Sequence, residues 1–196
     1  MKWRSPKGWD CLIAESRVTA VLTICQSKNS TTMQQWNNEI PTVGQAEISE
    51  SMTHCQEILA KMPYVRPFLF VDEFSEITEN GAKGHYTFRK DEYFYEGHFP
   101  NNPITPGVIM TETMAQIGLV GLGMFLTDAY KNDVLQQFVF TSSEVFFRKK
   151  VLPGETVFVE STKLYFRFKA LKCKVEMKNE LGEVVCHGTL SGAVLS

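Results

Sequence analysis

A chain of 196 residues with a formal charge of -2 has the length of one ordinary domain with some excess, or of one large domain. The near-neutral balance gives no reason to expect nucleic acid or an anionic membrane surface as partner, and 14 Phe against 6 Tyr point to a generous apolar interior. The cysteines (Cys11, Cys25, Cys55, Cys173 and Cys186) are odd in number, form no CxxC pair and have no histidine cluster beside them. Neither a disulfide framework nor a metal site is therefore expected.

The chain opens with the basic Met1-Lys2-Trp3-Arg4, but Asp10, Glu15 and Arg17 break the apolar run that an export signal needs, so a cytoplasmic location is expected. Leu12, Ile13, Val18 and the run from Val21 to Ile24 allow one short strand or helix. Gln26 to Gln45 is rich in Ser, Thr, Asn and Gln, and such a segment cannot bury enough apolar surface to offset its ordering entropy. The reading divides the chain into a poorly ordered, dispensable extension over 1–51 and a folded domain over 52–196.

Thr53 to Lys61 has the pattern of a short amphipathic helix, stopped by Pro63. Phe68-Leu69-Phe70-Val71 opens a strand expected to run towards Thr78. Asn80-Gly81 is the turn dipeptide of a hairpin, and its return strand spans about Ala82 to Arg89. Gly97, Pro100, Pro103, Pro106 and Gly107 then make a rigid, irregular loop.

Thr105-Pro106 reads as a helix N-cap followed by proline at the first helical position, with the helix running to about Asp128. Val108 to Leu126 approaches the length of a membrane span, yet it carries Glu112 and Gln116 and lacks basic flanks. It is expected to be a core helix buried on all sides, with Gly118, Gly121 and Gly123 facing a closely packed sheet. Strands follow at about Gln136–Phe147, Glu155–Phe168, Lys172–Lys178 and Val184–Val194. Strands gathered around one helix without βαβ alternation define an α+β fold with an antiparallel sheet.

Two residues stand apart chemically. Of the four histidines, His54, His85 and His187 read as ordinary, but His98 sits in a proline-braced loop that holds a side chain in place, as a general base requires. Glu112 lies in the apolar helix, where desolvation raises a carboxyl pKa and keeps the proton on near neutrality. Acid–base partner to His98 and structural carboxylate bonded to Thr113, Gln116 or a strand backbone are both open on spacing alone. Pro106 and Gly107 mark the helix N-terminus, whose free N–H groups favour a developing negative charge on a carbonyl oxygen.

The run Gly97-His98-Phe99-Pro100-Asn101-Asn102-Pro103-Ile104-Thr105-Pro106-Gly107-Val108-Ile109, followed by Glu112-Thr113-Met114-Ala115-Gln116, closely resembles the signature of FabZ-type (3R)-3-hydroxyacyl-acyl-carrier-protein dehydratases. The resemblance extends upstream through Ile58-Leu59, Met62-Pro63 and Arg66 to Asp72, and downstream through Phe147 to Glu155, and covers about residues 55–196. It implies a hot-dog fold, a long central helix wrapped by an antiparallel sheet, assembled as a homodimer or a trimer of dimers.

The resemblance also implies the chemistry. His98 removes a proton from C2 of a 3-hydroxyacyl thioester, and Glu112 of the partner subunit protonates the departing hydroxyl. Gly107 N–H polarises the thioester carbonyl and Gln116 orients Glu112. The product is a trans-2-enoyl thioester, and no metal or organic cofactor is implied. The substrate's carrier is an acidic acyl carrier protein, for which Arg148, Lys149 and Lys150 form the densest basic cluster; an ordinary solvated turn is the competing reading of those three.

Glu rather than Asp at position 112 favours the non-isomerising type. The pattern departs at Asn101, where the family usually has Gly, at Thr105, where it usually has Met, and in Pro63-Tyr64-Val65-Arg66-Pro67, where it has Pro-His-Arg-Tyr-Pro. These changes put acyl-chain preference and pathway in doubt and leave the catalytic pair intact. A hot-dog acyl thioesterase and a non-catalytic acyl-binding subunit are the alternatives.

Overall fold

The computed structural model describes residues 53–131 and 137–195, so the expectations for residues 1–51 lie outside the described residues. A helix (α1) covers 53–60. Six strands follow in the order β1 (Glu73–Thr78), β2 (Gly81–Thr87), β3 (Gln137–Phe147), β4 (Thr156–Arg167), β5 (Ala170–Asn179) and β6 (Val184–Leu195). They form one sheet in the spatial order β1-β2-β4-β5-β6-β3, antiparallel throughout. Between β2 and β3 runs the long helix α2, Gly107–Leu126.

The strands and α2 make the arrangement expected of a hot-dog fold. The apolar stretch that matched a membrane span in length is a core helix, 78% buried against the sheet. Met114, Ile117 and Leu122 are fully enclosed and meet a wall that includes Met177 and Leu190, also fully enclosed. Helix and sheet approach closely at the helix glycines: a Cβ at Gly121 would sit 2.5 Å from the Phe74 ring and one at Gly123 2.7 Å from Phe138. This contact outweighs the helix propensity that glycine forfeits.

Several local expectations are corrected. The helix is not α-helical throughout: Gln116–Gly121 winds as a π-helix between α-helical segments Gly107–Ala115 and Leu122–Leu126. The first strand begins at Glu73, five residues later than the apolar run suggested. Backbone groups of Phe68 and Phe70 are occupied by the side-chain amide of Gln116, which takes the place of a strand neighbour. The first hairpin turns on Glu79 and Asn80, with Thr78 paired to Gly81, so Gly81 belongs to β2 and not to the turn.

A polar network, buried at Glu92 and Tyr86 and half-exposed at its arginines, braces the approach to the loop that follows β2. Asp72 accepts from Arg66 at 3.1 Å, Arg89 at 2.8 Å and the Thr87 amide at 2.8 Å. Glu92 is 8% exposed and accepts from the Tyr86 hydroxyl, tying a short 3-10 turn, Tyr93–Tyr95, to β2.

Candidate active site

His98 follows the 3-10 turn, with its amide on the Phe94 carbonyl at 3.0 Å. Its Nδ1 lies 2.9 Å from the Ile104 carbonyl. A carbonyl only accepts, so Nδ1 carries the proton and Nε2 is left with a free lone pair, the tautomer a base needs. The next residue, Phe99, has φ 58° and is exposed, a backbone conformation that aromatic residues rarely adopt. The histidine is thus held by the 3-10 turn before it and by the far end of its own loop.

Thr105 was expected to cap the helix. Its hydroxyl instead meets the Tyr95 hydroxyl at 2.6 Å, and its amide donates to Val151 at 2.8 Å. Pro106 occupies the cap position and no side chain caps the helix. The amides of Ile109 and Met110 both reach the Pro106 carbonyl, so the Gly107 and Val108 N–H groups take no rung in the helix ladder. The Phe147 ring lies over Gly107, 3.0 Å from where a Cβ would stand.

Glu112 is half-buried one turn further along. Burial pushes its carboxyl above the ordinary carboxylate range, against a hydrogen bond from Gln116 that pulls the other way. That bond, Nε2 to Oε1, is 2.9 Å long. Gln116 is fully buried and spends every polar hydrogen: Nε2 also donates to the Phe68 carbonyl at 2.8 Å, and Oε1 accepts the Phe70 amide at 2.7 Å.

Beside the middle of the helix opens an apolar cavity of about 360 Å³, its open mouth included, lined among others by Tyr64, Ala115, Val120, Phe138 and Phe140. Burial and the neighbouring Glu112 push the Tyr64 phenol up to about 12, so it is a neutral hydrogen-bonding group at neutral pH. Helix α2 starts against Phe147 at the end of β3 and passes Phe138 near its start. The cavity therefore extends from the neighbourhood of Glu112 towards the C-terminal end of α2.

The basic cluster is placed near the helix start, since Phe147 precedes Arg148. Arg148, Lys149 and Lys150 are all exposed, and Lys149 is paired with Glu183 at 2.6 Å. The sequence reading named neither Tyr64 nor Tyr95 as part of this site. The departure from the Pro-His-Arg-Tyr-Pro pattern marked the first; the second has no local signal, because its partner lies across a loop.

A strand-wrapped buried helix with an acidic side chain and a histidine loop at its N-terminal end defines a hot-dog protein, and a FabA-like domain matches residues 62–187. The 3-hydroxyacyl-[acyl-carrier-protein] dehydratase FabZ of Caldicellulosiruptor bescii is 36% identical over 144 residues, 73% of this chain and 99% of that protein. The FabZ of Bacillus licheniformis is 36% identical over 140 residues, 71% of this chain and 94% of its own length. Among solved structures, the dehydratase heterocomplex ApeI:P from Xenorhabdus doucetiae superposes with a TM-score of 0.60 at 15% identity, covering 71% of this chain and 91% of that one, a likeness of fold. The chain belongs to the FabZ-type dehydratase family.

Proposed function

We propose that this protein dehydrates (3R)-3-hydroxyacyl thioesters carried on acyl carrier protein to trans-2-enoyl thioesters, in the cytoplasmic synthesis of fatty acids or related lipids, and that residues 52–196 suffice for it. The observation that carries the reading is the oriented carboxyl: a half-buried Glu112, its pKa raised by burial, held by a Gln116 amide that has no freedom to turn away. A surface carboxylate would be ionised and mobile at neutral pH and a poor general acid.

In the reaction, His98 Nε2 takes the C2 proton while the Gly107 N–H stabilises the negative charge that grows on the thioester oxygen. The C2–H electron pair becomes the C2–C3 double bond, the C3–O bond breaks, and Glu112 delivers its proton to the departing hydroxyl, which leaves as water. One turnover ends with His98 protonated and Glu112 ionised, and exchange with solvent resets the pair. No step calls for a cofactor.

We place the working site between two copies of the chain, His98 from one and Glu112 from the other. The edge strand β3 supports this arrangement. It has a neighbour on one side only and exposes Val139, Phe140, Phe146 and Phe147 at 38–50%, an apolar edge that a second β3 would cover. The acyl chain occupies the cavity beside Tyr64 and Ala115. Arg148 and Lys150, which have no salt-bridge partner among the described residues, face the acidic carrier.

Hydration of a 2-enoyl thioester by the purified protein tests the proposal. His98→Ala and Glu112→Gln each abolish turnover while their melting curves stay cooperative. Near-normal turnover in either variant, or release of free thiol by the wild type in place of hydration, would overturn it.

A further inference from the structure

Thr105 departs from the FabZ pattern, and its hydroxyl leaves the helix to bond Tyr95. We propose that the Tyr95–Thr105 hydrogen bond is a latch that positions His98, which makes Thr105 and Tyr95 positioning residues that touch no reacting atom. The proposal rests on the reading of His98 as the base.

The argument turns on one peptide unit. The Ile104 carbonyl and the Thr105 N–H belong to the same planar amide. The carbonyl end accepts from His98 Nδ1 at 2.9 Å, and the N–H end donates to the Val151 carbonyl at 2.8 Å. Val151 is 1% exposed, so this anchor belongs to the core. Any swing of the plane moves the acceptor that selects the His98 tautomer. The Thr105 side chain, attached to that plane, is what resists the swing.

Its hydroxyl reaches Tyr95 at 2.6 Å, with both residues buried, at 4% and 6% exposure. Tyr95 is itself grounded: its amide donates to the Glu92 carbonyl at 3.0 Å, and the Glu92 carboxylate is bonded to Tyr86 on β2. The latch thus closes the stems of the 96–104 loop on one another and connects both to the sheet. The loop needs such a restraint. Gly97 and the left-handed Phe99 flank His98, and within the loop only the Asn102 amide on the Phe99 carbonyl, at 2.8 Å, and the His98 bonds hold its shape. A methionine at 105 would have no hydroxyl to offer Tyr95.

Three variants test it against a purely structural role. Thr105→Val removes the hydroxyl at constant shape and lowers kcat roughly three- to tenfold, the equivalent of one hydrogen bond, with KM within about twofold. Thr105→Ser restores it. Tyr95→Phe combined with Thr105→Val removes both buried polar groups together, so the melting temperature returns towards wild type while kcat stays low. Nitrogen-15 NMR of the resting enzyme gives an independent readout: the neutral His98 is the Nδ1–H tautomer in the wild type and shifts towards Nε2–H in Thr105→Val. If kcat recovers together with the melting temperature in the double variant, or the tautomer is unchanged in Thr105→Val, the latch is refuted. If His98→Ala turns over normally, the base assignment fails, while the tautomer measurement still reports on the latch.

Discussion

Gln116 donates to Glu112 at 2.9 Å from an amide whose other hydrogen and whose oxygen are both bound to the main chain of the segment 68–70. Oxygen and nitrogen cannot be exchanged in this setting, because Oε1 faces an N–H and Nε2 faces two acceptors. The carboxyl is therefore addressed by a donor that is itself fixed from 46 and 48 positions away.

Replacing Gln116 by Leu leaves a buried N–H at Phe70 and a part-buried carbonyl at Phe68 without the partner Gln116 gives them. The expected cost is on the order of 2–4 kcal/mol, with a loss of kcat of about tenfold or more as Glu112 loses its orienting donor. Thermal or denaturant unfolding alongside hydration kinetics measures both. An unchanged melting temperature would show that the amide does not carry the segment.

The raised pKa of Glu112 makes a separate prediction about pH. The folded protein holds this proton more tightly than the unfolded chain, so stability from the group is complete below the ordinary value of 4.5 and is lost as pH rises through the raised value. Glu112→Gln keeps a neutral group at every pH. Its melting temperature should exceed that of the wild type by a margin that opens above about pH 4.5, widens until pH passes the raised value and is constant beyond it. A margin that stays constant with pH contradicts the desolvated carboxyl.

If each site draws His98 and Glu112 from different subunits, two dead proteins repair each other. A mixed dimer of His98→Ala and Glu112→Gln has one site with both defects and one with none. Refolding the two together in equal amounts should restore about a quarter of wild-type activity. Activity that stays at zero after proven exchange of subunits places both groups in one chain.

The cavity predicts chain-length control. Val120 is buried on its wall, and Val120→Phe fills space that an acyl chain needs. Overpacking is expected to cost about 1–3 kcal/mol. Against substrates of graded length the variant should lose activity on the longer acyl chains first. A uniform loss across lengths would mean that the chain lies elsewhere.

Most of what is periodic or short-range was readable beforehand. The period of the strands, the buried helix, and the proline and glycine loop around His98 follow from backbone preference and from where apolar residues recur, both local properties. So does the isolation of Glu112 in an apolar run. Two of the corrected elements share one cause. Phe68 to Val71 has strand composition and Thr105 has cap chemistry, yet each has its hydrogen bonds taken by a distant side chain: Gln116 for the first, Tyr95 for the second.

The amino-acid sequence by itself determined the histidine loop, the acidic residue fourteen positions on and the helix that carries it, because spacing along one segment is a covalent fact. The tertiary structure decided what those groups are bonded to. Which amide orients Glu112, which carbonyl selects the His98 tautomer and which hydroxyl holds that carbonyl in place are choices among many chemically equivalent partners. Burial makes such a choice binding, since a polar group removed from water must take the partner that packing brings within reach.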